Sequence, residues 1–257
     1  MKKKLIKIIK KAGKILKNGY YSDKEVSFKA KKDLVTKYDV AVENYLKKHF
    51  SKHFEEFNII AEESDNSKVE FNNSIIIDPI DGTTNFVNGV PHTAISVGVY
   101  KNKKPFLAVV YNPILDELYF ARAGKGAFLN GKRLKVSAEE DLQKSLIATG
   151  FPYTSGSNES DLKDVLKKIK DVLPFCHDLR RLGSASIDLC FVARGTFEGY
   201  YEMNLKPWDV SAGVLILSEA GGKITNINGE EYNLFEDKYI VATNGKIHDK
   251  LIEKLNI

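Results

Sequence analysis

Two aspartates three positions apart, Asp78 and Asp81, close an apolar run of three isoleucines at 75–77, with Pro79-Ile80 between them and Gly82-Thr83-Thr84 behind. The isoleucines call for burial, whereas a carboxylate calls for water, a proton or a cation. Glu62, in "NIIAEES", follows an apolar segment in the same way, and Asp209, in "PWDVSAGVLILSEAGG", opens one. Four such acids are an oxygen-donor set for a hard divalent cation such as Mg²⁺, which takes a few carboxylates and completes its octahedron with waters and substrate phosphate. Pro79 stiffens the loop and fixes the spacing of the pair, and the Ile80 carbonyl between them is a further oxygen donor. Asp-Pro and Asp-Gly also make plain turns, so the pair by itself does not decide between the two readings.

The residues that follow add an anion site. Gly82, Thr83 and Thr84 offer backbone N–H groups and hydroxyls at a strand-to-loop turn, the makeup of a phosphate cradle. Acids for a cation beside amides for an anion suit a phosphorylated substrate, because a bound cation screens phosphate charge and lowers the pKa of a water. A second candidate is "RRLGSAS" (180–186), where Gly183, Ser184 and Ala185 open a helix; Ser184 as an ordinary N-cap is the alternative. Asp209 in a first helical turn is also what the helix dipole favours. Trp208, the single Trp, is read as core packing.

The elements that must hold these residues are legible in outline. An apolar stripe of Leu5, Ile8, Ile9, Ala12, Ile15 and Leu16 predicts a helix over 3–18 that stops near Gly19. A loop and then a helix near 37–50 follow, with Thr36 as N-cap and Asp39 at N3 of a capping box. Strands are expected at "NIIAEES", "SIIIDP", 93–100, 105–113 and 117–121, then a hairpin turning at Asn130-Gly131. The second half reads as strand "SLIATGF", helix 160–172, helix 183–195, strand 197–203, helix 207–222, hairpin "KITNINGEEY", strand "YIVATN" and helix 247–255. Pro207 suits a first turn and Gly221-Gly222 an exit. Mixed helices and hairpins imply a mixed α/β, or α+β, fold with partly antiparallel sheets.

The 257 residues suffice for one large domain or two closely packed halves, and no apolar run approaches the roughly 18–20 residues of a membrane span. The basic N-terminal segment lacks the continuous apolar core of a secretory signal. Cys176 and Cys190 form no metal spacing and read as reduced thiols of a cytoplasmic protein. Residues 1–32 carry twelve lysines against Asp23 and Glu25, net +10; the rest of the chain is net −5, giving the total of +5. Those lysines are the solvated face of the first helix or, in a second reading, a contact for nucleic acid. His92 reads as a surface or loop histidine, and of Tyr200 and Tyr201 only one can face a pocket.

"AEES", "DPIDGTTNF" and "PWDVSAGVLILSEAGG", in this order and separation, resemble the inositol monophosphatase family of lithium-sensitive, Mg²⁺-dependent phosphatases, from "DLVTKYD" to the last helix. The resemblance implies a layered αβαβα sandwich, one domain over 1–257 with halves at roughly 1–140 and 141–257, assembled as a homodimer. It implies two to three Mg²⁺ ions: one on Glu62, Asp78 and the Ile80 carbonyl, one on Asp78, Asp81 and Asp209, and a looser one helped by Glu62. It implies that Thr83, with Asp39 or Glu62, activates the attacking water, and that Gly82 and Thr83 amides hold phosphate. Gly183, Ser184, Ala185 and Glu202 match positions lining the alcohol side, beside Asp81 and Asp209. A loop lysine that approaches the site in relatives has three candidates, Lys29, Lys31 and Lys32. The implied activity is hydrolysis of inositol 1-phosphate and other sugar phosphates. Fructose 1,6-bisphosphate, NADP or 3′-phosphoadenosine phosphate are alternative substrates within the fold, and RNA or transcription-complex binding is an alternative of another class. Thr84-Asn85-Phe86, where nucleotide-specific members have Lys-Glu, points to the inositol or fructose side.

Overall fold

A computed structural model of the chain describes all residues except 25, 31, 32, 68, 153, 155 and 156, with backbone alone at 28–30 and 33. Its first half runs α1 (Lys2–Tyr20), β1 (Val26–Ala30), β2 (Asp33–Thr36), α2 (Lys37–His53), β3 (Asn58–Ala61), β4 (Ser74–Asp81) and α3 (Thr83–Val87). A meander follows: β5 (Ala94–Lys101), β6 (Lys104–Asn112), β7 (Glu117–Arg122), β8 (Gly126–Leu129) and β9 (Lys132–Arg133). The second half runs β10 (Leu146–Thr149), α4 (Glu159–Val172), β11 (Asp178–Arg180), α5 (Ala185–Ala193), β12 (Gly199–Met203), α6 (Pro207–Glu219), β13 (Lys223–Thr225), β14 (Tyr239–Thr243) and α7 (His248–Leu255).

Strands β3 to β9 form a seven-stranded sheet in sequence order, parallel at β3–β4 and antiparallel thereafter. The other large sheet has the order β11-β10-β12-β14-β13, parallel around β10 and antiparallel at β14. Helices α1 and α2 cover the outer face of the first sheet through Leu5, Ile9, Leu16, Val42, Leu46 and Phe50. Helices α5 and α6 fill the space between the sheets, where Ile187, Leu189, Val210 and Ile216 meet Ala108, Val110, Tyr200 and Ala242. Outside the second sheet, Val172 of α4 and Leu251 and Leu255 of α7 pack on Ile147 and Val241. The layers are therefore αβαβα.

Both inner helices have almost no polar face, as their position between two sheets requires. In α1 the apolar stripe is buried and Lys2, Lys3, Lys4, Lys7, Lys10, Lys11, Lys14 and Lys17 stand outside in solvent. That helix crosses β6 so closely that a Cβ on Gly13 would lie 2.5 Å from the Tyr111 ring. No helix among the described residues is long and apolar enough to cross a membrane.

Two local expectations change and a third is refined. Helix α1 continues through Gly19 to Tyr20, because that glycine sits against the Tyr38 ring, where a side chain has no room. The stretch before α2, read as a loop, contains the antiparallel pair β1–β2; its strands of five and four residues are too short to show the alternation. "KITNINGEEY" folds back on itself through a single antiparallel bridge, Thr225–Glu231, with the Asn226 amide donating to the Glu230 carbonyl (2.9 Å), while β13 takes β14 as its ladder partner.

Candidate active site

Four elements end around one cleft. Strand β4 is buried along its whole length, so its aliphatic start carries Asp78 and Asp81 into the protein, 2% and 7% exposed. Pro79 and Ile80 loop out of register with β5, whose ladder resumes only at Asp81 and Ala94. Neighbouring β3 runs parallel and delivers Glu62 just past its end, with the Glu62 amide donating to the Ile77 carbonyl (3.2 Å). Asp209 comes from the first turn of α6, and Trp208 beside it packs on Ile60, Ile76 and Tyr100, as core packing requires.

Each aspartate uses an oxygen to order its own loop. The Ile80 amide donates to Asp78 Oδ1 (3.0 Å), and the Lys206 amide donates to Asp209 Oδ2 (2.7 Å). Asp81 Oδ2 accepts from the Ser184 hydroxyl (2.6 Å) and the Ser186 amide (2.8 Å). Ser184 is thus the N-cap residue of α5 by position, but its hydroxyl makes no cap; Asp81 satisfies that helix start from the other half of the chain. Ser184 bonds Asp81 but does not itself line the cleft, whose walls include Gly183, Ala185, Glu202, Asp81 and Asp209 together with Phe151, Pro152 and Arg181.

The electrostatics of this cluster test whether cations fit. Burial pushes the Asp78 carboxyl far above the usual carboxylate range, and charge on Glu62, Asp81 and Asp209 pushes it the same way. The Glu62 carboxyl beside Asp78 adds to that rise, the behaviour of two acids close enough to hold a proton or a cation between them. Burial and then Glu62 likewise raise Asp209 well above its ordinary value, against the pull of the Lys206 amide. Asp81 is raised by burial despite the bonds from Ser184 and Ser186. Burial brings Glu202 up to about 7, with the Tyr200 hydroxyl donating to its Oε2 (2.6 Å). Among the described residues no three acidic, histidine or cysteine side chains form a ready-made cage. The donor set suits Mg²⁺, which keeps part of its water and shares substrate oxygens, rather than an ion enclosed by protein alone.

These shifts fix a sign. A carboxyl raised in the folded state stabilises the fold fully below its unfolded value near 4 and loses that contribution as pH rises through its folded value, about 7 for Glu202. His92 and His248, both lowered to about 4 by burial, act oppositely, but their effect is complete above their ordinary 6.5. The melting temperature of chelator-treated protein is therefore expected to fall from about pH 6.5 to about pH 8, and added Mg²⁺ to restore more at the upper end. A melting temperature that is flat or rises over this window contradicts the picture.

Beside the acids, Thr83 opens α3 after Gly82, whose φ of 83° belongs to the left-handed region. A Cβ on Gly82 would stand 2.9 Å from the His92 carbonyl and 3.1 Å from that of Gly183, so this loop tolerates no side chain. The Thr83 hydroxyl lies 3.1 Å from Asp39 Oδ1 and 2.9 Å from the Ile80 carbonyl. Asp39 is fully buried, and its Oδ2 accepts from the Thr36 amide (2.8 Å) and hydroxyl (2.6 Å) in the capping box that starts α2. Burial raises its proton affinity above that of an ordinary aspartate.

Sequence reading missed several neighbours. His92 is half-buried, its Nε2 3.1 Å from Asp188 Oδ1 and its ring edge-on to Phe191, rather than a surface residue. Phe151, Pro152 and Arg181 reach the cleft because β10, β11 and β12 are parallel and end together. No local pattern announces that pairing. Both Tyr200 and Tyr201 are buried. Lys31 and Lys32 lie outside the described residues, and Lys29 is described only as backbone in β1. A cavity of about 670 Å³ lies behind α6 between Phe71, Tyr100, Tyr232 and Phe235, and none of the four acids lines it.

A layered αβαβα protein with acids at the ends of β3, β4 and α6 and an amide-rich turn behind them is built for phosphate ester chemistry. The family model for the inositol monophosphatase family matches residues 1–257, and the chain belongs to that family. Its enzymatic class is accordingly that of the phosphoric monoester hydrolases. Inositol monophosphatase 3 of Solanum lycopersicum is 40% identical over 98% of this chain and 94% of its own length. A fructose-1,6-bisphosphatase/inositol-1-monophosphatase of Aquifex aeolicus is 38% identical over 94% and 89%. The Nus factor SuhB of Pasteurella multocida is 36% identical over 97% and 93%. Among solved structures, an IMPase from Thermotoga maritima superposes with a TM-score of 0.89 at 34% identity, covering 98% of this chain and 94% of that one.

Proposed function

We propose that the protein is a Mg²⁺-dependent phosphatase that hydrolyses inositol 1-phosphate and related sugar phosphates by attack of water. The observation that carries this reading is the convergence of four acids, Asp78 and Asp81 buried and Glu62 and Asp209 half-buried, whose charges raise one another's proton affinity. Glu62, Asp78 and the Ile80 carbonyl would hold one ion, Asp78, Asp81 and Asp209 a second, and Glu62 would help hold a third. Bound there, Mg²⁺ supplies charge neutralisation on the phosphoryl oxygens and a lowered pKa for a water.

The protein's own groups do the positioning. Thr83 donates to Asp39 and keeps its oxygen lone pairs for the proton of the attacking water. The capping box fixes Asp39, and burial lets that carboxyl accept the proton passed along through Thr83. The amides of Gly82 and Thr83, at a helix start without intrahelical acceptors, face the phosphate. Gly183, Ala185 and Glu202 form the alcohol side of the cleft. Ser184 acts through Asp81 rather than on substrate.

Thr84-Asn85-Phe86 and the Aquifex aeolicus relative both support sugar phosphates as the substrate class. Phosphate release from inositol 1-phosphate, fructose 1,6-bisphosphate and 3′-phosphoadenosine 5′-phosphate, measured side by side, tests it. Faster turnover of either sugar phosphate is expected; preference for the nucleotide would overturn the assignment. We further read the protein as a cytoplasmic homodimer. Support comes from the free Cys176 and Cys190 and from Leu162, Leu166, Leu173 and Phe175, which leave apolar surface exposed along α4 and the turn after it.

A further inference from the structure

We infer that Asn85 is a positioning residue whose side-chain amide docks the 182–185 loop, the alcohol side of the cleft, onto the aspartate loop that forms its phosphate side. Asn85 sits in α3 and is 8% exposed. Its Nδ2 lies 2.8 Å from the Leu182 carbonyl, 2.8 Å from the His92 carbonyl and 3.3 Å from the Gly183 carbonyl. One amide thus ties the two segments flanking the cleft, which come from different halves of the chain.

The 182–185 loop needs an external tie. Gly183 has a φ of 86°, and glycine populates several backbone basins, so the local sequence does not set the direction of the carbonyls at 182 and 183. The loops touch at Gly82, which has no room for a side chain against the Gly183 carbonyl. Two further links run parallel, from Ser184 and Ser186 to Asp81 and from His92 to Asp188. Both end on a carboxylate, so their strength follows that carboxylate's charge. The Asn85 link is neutral on both sides, amide to carbonyl, and holds the loop whatever the charge state of the acids. Since the cleft is only about 50 Å³, a small tilt of Gly183 and Ala185 changes what alcohol fits.

This inference rests on the phosphatase reading above. Its test compares full-length wild type, Asn85→Ala and Asn85→Asp on inositol 1-phosphate and on p-nitrophenyl phosphate, whose alcohol carries no ring hydroxyls. Both variants are expected to lose about tenfold or more in kcat/KM on inositol 1-phosphate relative to p-nitrophenyl phosphate, mostly in KM, with the Mg²⁺ requirement unchanged. Asn85→Ser, which retains one donor, is expected to fall between and serves if the others do not fold. Leu255→Ala, a core change on α7 outside the second sheet, among residues that do not line the cleft, controls for lowered stability and should leave the ratio alone. Equal losses on both substrates, or none, overturn the inference. Hydrogen exchange decides independently of turnover: faster exchange confined to 182–186 in the Asn85 variants supports docking, and unchanged exchange refutes it. Wild-type protein inactive on both substrates refutes the phosphatase reading instead, and exchange still judges the docking.

Discussion

Asp209→Asn is expected to lose roughly 10³-fold or more of its Mg²⁺-dependent turnover while its metal-free form melts no lower than wild type. The activity loss follows from removing a carboxylate that would hold the ion neutralising the leaving group, an effect worth several kcal/mol. The stability result follows from the same charge. Asp209 is raised by burial and by Glu62, and its own charge pushes Asp78 upward, so neutralising it relieves repulsion in the empty site. An asparagine oxygen still accepts the Lys206 amide that starts α6. The melting gain on adding Mg²⁺ should shrink in the variant. Near-normal activity in correctly folded Asp209→Asn contradicts the assignment.

Asp81 is expected to separate two roles by choice of substitution. Asp81→Asn and Asp81→Ala should both lose about 10³-fold in turnover, since neither leaves a carboxylate for the ion. They differ in stability. Asparagine retains an acceptor for the Ser184 hydroxyl and Ser186 amide, whereas alanine leaves both buried donors at the start of α5 without a partner. An unsatisfied buried donor costs about 1–3 kcal/mol, so Asp81→Ala should melt several degrees below Asp81→Asn. Equal melting temperatures would show that Asp81 does not cap α5.

What the sequence made legible was local. The capping box at Thr36 and Asp39, the stripe of α1 and the Asn130-Gly131 turn, with φ of 48° and 84°, depend on near neighbours and stand as expected. So does the burial of 75–77 ahead of the acids. What stayed hidden depends on distant partners. Ser184 reads as part of an anion site or as its own helix cap, yet its hydroxyl goes to a carboxylate 103 residues away. His92, with no motif around it, meets Asp188 only because α5 lies between the sheets. The β1–β2 pair escaped notice because its strands are short. Asn85 sat inside the quoted motif, but its acceptors are main-chain carbonyls, which leave no trace in side-chain types.

The central claim is that these acids hold cations for phosphate ester hydrolysis. Its most direct test is phosphate release from inositol 1-phosphate with Mg²⁺, with EDTA, and with Mg²⁺ plus Li⁺. Turnover that requires Mg²⁺, vanishes in EDTA, returns on adding Mg²⁺ back and falls with Li⁺ is the predicted result. Turnover that persists undiminished in EDTA would contradict it.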